Sequence, residues 1–594
     1  MVHSITEEGD FLVGQGLAPD LNRSTIAGPS SRESLNRESR EQSASDLLGR
    51  GLEHYQGIPT FGVLQHAAEQ LPDHPAIEHG SARWNYRDLN ADAIRCAAML
   101  QRLGIKAGDR VGILLPNVPE YVIAINGIWR AGGIAVAISP LMVSDEIGGL
   151  LAHTKCRLLI SLDLLHCILD DLSETQRPET TLLVSLRDKL PAYQQLGYLL
   201  KLAYKKWSAS GTAKLGAVHD FWTEIHETKV PWIEPCLDPR RDPAFILATG
   251  GTTDRPKAVT LSHENMVANA WQQYVWTERS FGTERMLAVL PYFHSYGMST
   301  TLLGSAMMGA TSILHHRFNT SQVLRLIESR KPTVMHAVPA MLSAMNAQLQ
   351  KRPVDLSSLR WVISGGASLD EAVGRTFAEH SGALVVEGYG LSEASPVTHV
   401  GHLYREPRYG SIGLPLPETR CRIVSTTRPF HDLPYGEVGE LWIRGPQVML
   451  GYWGDSLATR RAIRGGWVSN GDLAVRHQDG YFTIVGRKKD LIITSGYNVQ
   501  PGDVETVLRE CELIQDVAVV GDPDPKRGEV VHAHVVLKAG ATWDESRLVA
   551  FGRKHLAAHK RPRRYTHCQS DLPRNFLGKV LRRKLRHPEP LPDA

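Results

Sequence analysis

Cysteine is scarce in this chain of 594 residues: Cys96, Cys156, Cys167, Cys236, Cys421, Cys511 and Cys568 are scattered along it. No two form a CxxC pair, so neither a zinc site nor a disulfide framework is suggested, and reduced thiols in a cytosolic protein are expected. Long apolar runs are also missing. No stretch reaches the roughly 18 residues that crossing a bilayer requires. The start, "MVHSITEEGDF", is acidic where a secretion signal is basic and then apolar. Neither charge sign dominates: 66 Lys and Arg stand against 63 Asp and Glu, and the net charge of +3 makes no case for nucleic acid as the main partner. Two catalytic signatures are absent as well. There is no GxSxG elbow of an α/β-hydrolase and no Walker A loop with Gly directly before its Lys.

What is present points to an enzyme-sized α/β protein. The length calls for two or three domains. Residues 17–45 are rich in Ser, Arg, Glu and Asn without an apolar period, and a disordered polar tail is expected over 1–50. From about residue 60, short apolar runs such as "RVGILLP", "IAVAIS", "PAFILATG", "TVMHAVP", "LRWVISGG" and "ALVVEGYG" alternate with helical text. That alternation predicts a large N-terminal domain, 51–488, of mostly parallel sheets covered by helices. Past the charged knot Arg487-Lys488-Lys489-Asp490 the texture changes, predicting a small hinged α+β domain over 489–590.

Between Leu247 and His263 runs "LATGGTTDRPKAVTLSH". Glycines free the backbone N–H groups, threonines add hydroxyl donors and Lys257 adds a point charge, which together suit phosphate oxygens. The loop follows "FILA" and stops before a helical stretch near His263, where a helix N-terminus is expected to favour an anion. A flexible surface loop is the plain alternative. Further on, "PAYQQLGYLLKLAYKKW" (Pro191–Trp207) spaces aromatics and leucines helically among Lys201, Lys205 and Lys206. Such a helix lies on a lipid surface or packs on its own domain.

Downstream stand "ISGGASL", "VEGYGLSEASP", "VSNGDLAV", "VGRKKDLIITSGYNV" and "LPRNFLGKVLRRK". In this order and spacing, together with the Thr/Gly loop, they resemble the core motifs of the adenylate-forming superfamily: acyl-CoA synthetases, firefly luciferase and peptide-synthetase adenylation domains. The resemblance covers about residues 55–590 and is strongest to long-chain fatty-acyl-CoA ligases. It implies that a carboxylate attacks the α-phosphate of ATP to give acyl-AMP and pyrophosphate, and that coenzyme A then displaces AMP. An anion meeting a polyanion needs positive charge and donors at the phosphates.

The resemblance assigns roles residue by residue. Thr249, Gly250, Gly251, Thr252, Thr253 and Lys257 match the phosphate loop. Glu393, closing "YGLSE" after Ser392, matches a magnesium carboxylate, with Thr249 as a second oxygen; a lone Glu is otherwise an ordinary surface acid. Gly365, Gly366 and Ala367, with Glu387, Gly388, Tyr389 and Gly390, match the positions around adenine; for Tyr389 plain core packing is the alternative. Asp472 and Arg487 match ribose contacts, where an exposed pair would otherwise count for little. Lys579 matches the lysine that bridges carboxylate and phosphate. Lys489 matches the pivot of the small domain, and Gly496 matches the path of the thiol. His294 in "PYFHSYG" matches a residue at the border of the nucleotide and acyl sites, or is a satisfied buried His. The stretch "MSTTLLGSAMMGATSIL" fits a helix lining a hydrocarbon pocket as well as plain core. ATP, Mg2+ and coenzyme A are the implied cofactor and co-substrates. The rivals are transfer to an acyl-carrier protein and a non-catalytic nucleotide- or lipid-binding homologue. The phosphate loop departs from the family's glycines at Asp254 and Ala258, and a carboxylate at Asp254 predicts a weaker grip on ATP.

Overall fold

The computed structural model describes residues 50–586 except 166–168, 170, 188–197, 199–216, 250–256, 496, 575–577 and 579. The polar tail, most of Pro191–Trp207, Gly250, Gly251, Thr252, Thr253, Asp254, Gly496 and Lys579 therefore lie outside the described residues. The rest forms α/β sheets in the expected alternation.

Buried at the centre is helix α1 (Pro119–Arg130), enclosed along its whole length. Pro119 opens it in the first turn, where its missing N–H costs nothing. Its Tyr121 hydroxyl donates to the Tyr292 carbonyl at 3.1 Å, and its Trp129 Nε1 donates to the Ala244 carbonyl at 2.9 Å. Tyr292 follows a strand of one large sheet, and Ala244 lies in β1 (Pro243–Thr249) of the other. A helix this rich in apolar residues is stable in such an enclosed position, and its Glu120, Asn126 and Arg130 are buried with it.

The sheet holding β1 has eight strands among the described residues. Those from Arg110–Leu114 to β1 run parallel to one another. Next to β1 comes β2 (Lys257–Ser262), antiparallel, with Thr249 opposite Lys257. The helix begins at His263 as expected, but the end of the quoted stretch is not loop. The stretch "KAVTLS" is a strand, so the loop joins two antiparallel strands, and helix α2 (His263–Trp276) starts only after β2. Six residues are too few for alternation to distinguish strand from loop; pairing on both sides decides it, because the short strand Gly451–Tyr452 closes the outer edge of β2. At the turn into α2, the Ser262 side chain caps the Asn265 N–H while the Asn265 side chain returns to the Ser262 N–H.

In the nine-stranded second sheet, β3 (Val334–Ala337), β4 (Trp361–Ser364) and β5 (Leu384–Gly390) are adjacent and parallel. Ala337, Ser364 and Glu387 stand level across them. The loops leaving their carboxyl ends thus share one edge, where ligands bind in open α/β sheets. Helix α3 (Pro339–Leu349) begins at that edge. A third sheet spans Arg420 to Arg487 and ends in the antiparallel pair β6 (Trp467–Arg476) and β7 (Phe482–Arg487). A fourth begins at Ile492 and packs on two helices through Val504, Leu508, Val517, Val531 and Leu548.

Candidate active site

Asp472 in β6 and Arg487 in β7 are direct cross-strand partners. Arg487 Nε donates to Asp472 Oδ1 at 2.7 Å, and the Tyr389 hydroxyl donates to Oδ2 at 2.5 Å. Burial works against the Arg487 charge, but Asp472, Tyr389 and Asp490 outweigh it and the guanidinium pKa is raised. Three residues far apart in the chain thus build one carboxylate, almost fully buried, that is oriented from both sides. Such a group accepts further hydrogen bonds from a vicinal diol.

Beside it, Gly365–Ala367 leave β4. A Cβ at Gly365 would lie 2.9 Å from Tyr296 Cζ, so only glycine allows the ring so close, and Gly366 has φ +80°. The Tyr296 hydroxyl donates to the Ile363 carbonyl at 3.0 Å. Glu387 backs the same loop, its carboxylate accepting from the Leu369 N–H. Its Oε2 and Ser364 Oγ are buried without a partner among the described residues. Burial pushes the Glu387 carboxyl up to about 8, so it is largely neutral at pH 7. Gly388 and Gly390 pair across to Val400 and Val397.

The third part of the wall carries opposite charges. Glu393 Oε1 accepts from the Tyr452 hydroxyl at 2.8 Å, and Lys257 Nζ sits 4.6 Å from the centre of the Tyr452 ring. Ser392 Oγ meets Ser295 Oγ at 3.1 Å, joining the "YGLSE" and "FHSYG" segments. His294 Nδ1 accepts from the Tyr296 N–H at 3.2 Å, which puts the proton of the neutral ring on Nε2. Burial lowers the His294 pKa to about 4, so the ring is neutral at pH 7. The stretch that follows is helical, with wide turns over Met298–Leu303, and is buried.

Thr249 stands opposite Lys257 at the open end of the β1–β2 pair. Its hydroxyl donates to the Lys257 carbonyl at 3.2 Å. Among the described residues no group of three or more His, Cys, Asp or Glu gathers to hold a metal ion. A single carboxylate is no cage for a cation; it fits Mg2+ that takes its remaining ligands from phosphate and water. Ala258, one of the two departures from the family's glycines, lies inside β2 opposite Ala248 and is buried in the core. It is not among the residues with positive φ, so alanine meets no backbone strain there.

Two contact residues escaped sequence reasoning. Tyr296 lies inside a motif that drew notice only for its His. Tyr452, in "MLGYW", had no periodic or spacing signal; only the pairing of Gly451–Tyr452 with β2 brings it between Lys257 and Glu393.

The wall brings together an oriented buried acid, a glycine turn and, around one tyrosine, a lysine and a glutamate, a set suited to a nucleotide-binding enzyme. Residues 64–453 match the AMP-binding enzyme family and residues 503–579 match the AMP-binding enzyme C-terminal domain, and the chain belongs to that family. A long-chain-fatty-acid–CoA ligase of Bacillus subtilis is 37% identical over 525 residues, covering 88% of this chain and 93% of the relative. One of Salmonella typhimurium is 32% identical over 536 residues, with 88% and 93% covered. Among solved structures, ATP-bound MatB from Rhodopseudomonas palustris superposes with a TM-score of 0.74 at 25% identity, over 89% of this chain and 98% of that one.

Proposed function

We propose that the chain is an AMP-forming acid–thiol ligase that activates a medium- to long-chain fatty acid with ATP, releases pyrophosphate, and passes the acyl group to coenzyme A. The observation that carries this reading is the Asp472–Arg487–Tyr389 cluster, with Tyr389 at the end of β5 just ahead of Glu393, and Glu393 joined to Lys257 through Tyr452. Asp472 holds the ribose. Gly365–Ala367 and Tyr389 receive adenine, with Glu387 bracing the loop from behind. Lys257 faces the phosphates, and Mg2+, when bound at Glu393, offsets their charge. Neutral His294 borders the acyl side without adding charge to it.

Lys579 brings the second cation. The described neighbour Gly578 supports this: a Cβ placed on it would lie 3.3 Å from Ala340 Cβ, in the first turn of α3. That closeness supports a reading in which the lysine loop works at the active-site edge, as the adenylation half requires. Around the pivot the contacts divide. Lys488 Nζ reaches back to Glu440 at 3.4 Å, whereas the Lys489 carbonyl accepts from Arg586 at 3.3 Å and Asp490 pairs with Arg582 at 3.5 Å. A rotation between 488 and 489 keeps these side-chain contacts and gives up the Asp490 N–H bond to the Arg487 carbonyl at 3.1 Å, a small cost that supports Lys489 as hinge and a boundary of 51–488 and 489–590.

The test is pyrophosphate release and acyl-AMP formation by purified protein with Mg2+, ATP and a panel of fatty acids, with and without coenzyme A. Turnover that depends on both fatty acid and coenzyme A supports the proposal; failure to form any acyl-AMP refutes it. Acyl-AMP that accumulates with coenzyme A but discharges onto an acyl-carrier protein selects the rival acceptor. Among the described residues no helix is long and apolar enough to cross a membrane. Lipid contact through 191–207 rests on the sequence alone, and liposome binding after neutralising Lys201, Lys205 and Lys206 tests it.

A further inference from the structure

Lys257 and Glu393 carry opposite charges on the same wall, yet no ion pair joins them. One side chain engages both: the Tyr452 hydroxyl donates to Glu393 Oε1 at 2.8 Å, and the Tyr452 ring presents its face to Lys257 Nζ at 4.6 Å. The tyrosine is itself fixed. Its N–H donates to Thr459 Oγ1 at 2.9 Å, and the next residue, Trp453, donates to the Ala258 carbonyl at 2.7 Å. Three residues earlier, the Met449 N–H donates to the Glu393 carbonyl at 2.9 Å, so one short strand is anchored both to Lys257's strand and to Glu393's turn.

We propose that Tyr452 is a positioning residue that keeps the phosphate-loop lysine and the metal-binding carboxylate from collapsing onto each other while the nucleotide site is empty. The proposal rests on the ATP reading given above. A lysine on a flexible four-carbon stem pairs readily with a nearby carboxylate. Such a pair would occupy an oxygen of Glu393 and neutralise the charge meant for phosphate. The hydroxyl fixes one carboxylate oxygen, and Oε2 has no hydrogen-bond partner among the described residues. The ring holds the ammonium more weakly than phosphate does, so the lysine transfers when triphosphate arrives.

Two variants separate the two contacts. Tyr452→Phe keeps the ring and loses the hydroxyl; Tyr452→Leu loses both. Calorimetric ATP binding, without acyl substrate, is read across Mg2+ concentrations and in EDTA, with melting temperature as the folding control. For Tyr452→Phe, half-saturating Mg2+ rises about 10-fold, as loss of a hydrogen bond to a charged group predicts, while binding in EDTA stays within about twofold. For Tyr452→Leu, binding in EDTA weakens about 2- to 30-fold, the range of a lost cation–π contact. Adding Glu393→Gln to that variant restores it, because the lysine no longer has a carboxylate to fall onto. A merely structural role yields no such rescue. If Tyr452→Leu does not fold, Tyr452→Phe in the Glu393→Gln background decides: no further change in Mg2+ dependence supports the proposal, and an additive change overturns it. Unaltered Mg2+ dependence in Tyr452→Phe, or no rescue by Glu393→Gln, also overturns it. Wild-type protein that binds no ATP overturns this proposal and the functional reading together; wild type that binds ATP with unaffected variants overturns this one alone.

Discussion

Replacing Asp472 by Asn keeps the shape of the side chain and one acceptor oxygen but removes the charge. Asp472 accepts hydrogen bonds from Arg487 at 2.7 Å and Tyr389 at 2.5 Å. The amide oxygen can keep only one of them, weakened, and the amide nitrogen cannot accept the other, at about 1–1.5 kcal/mol each. The remaining attraction to Arg487 is discounted, because that side chain is 38% exposed against 5% for the acid. The expected destabilisation is therefore about 2–3 kcal/mol, below the 3–5 kcal/mol typical of breaking a fully buried pair. If the same carboxylate holds both ribose hydroxyls, ATP affinity falls by about 30- to 100-fold, since two more such bonds weaken. Urea unfolding measures the first quantity and calorimetry the second. The decisive comparison is 2′-deoxy-ATP. Wild type should prefer ATP by about tenfold, and Asp472→Asn should lose most of that preference. A variant that unfolds more easily yet keeps the full preference for the 2′-hydroxyl would refute the ribose assignment, leaving Asp472 a structural partner of Arg487.

Three further outcomes follow from the geometry. Glu387 has its pKa raised to about 8 by burial, from an ordinary value of 4.5. Between those values the unfolded chain gives up the proton and the folded chain keeps it, so wild-type stability falls with rising pH, by up to about 1.4 kcal/mol per unit, and levels off above 8. Glu387→Gln removes this slope, which urea unfolding from pH 5 to 8 detects. Ala258→Gly lowers stability by about 1 kcal/mol, because a buried strand methyl is lost and no positive φ is relieved; thermal melting checks it. Ala340→Leu fills the space against Gly578 and is expected to slow acyl-AMP formation at least tenfold. Thiol transfer from supplied acyl-AMP should stay near wild type, and equal slowing of both half-reactions would count against a rotating small domain.

The alternation of apolar runs was enough to read parallel sheets with their ligand edge at strand ends, because in α/β folds burial on both faces writes itself into short apolar segments. The ordered motifs from Ile363 to Lys584 likewise named Asp472, Arg487, Tyr389 and Glu393 before any geometry was known. Those residues are local signals: each sits in a glycine-marked turn or strand whose text is distinctive by itself. Tertiary structure alone decided three things. It made "KAVTLS" a strand, since pairing on both edges outweighs six ambiguous residues. It turned Asp472 and Arg487 from two charges into one oriented acceptor, since antiparallel register sets them opposite each other. And it delivered Tyr452 to a lysine and a carboxylate at other points of the chain, a contact that exists only because a two-residue strand completes a sheet edge.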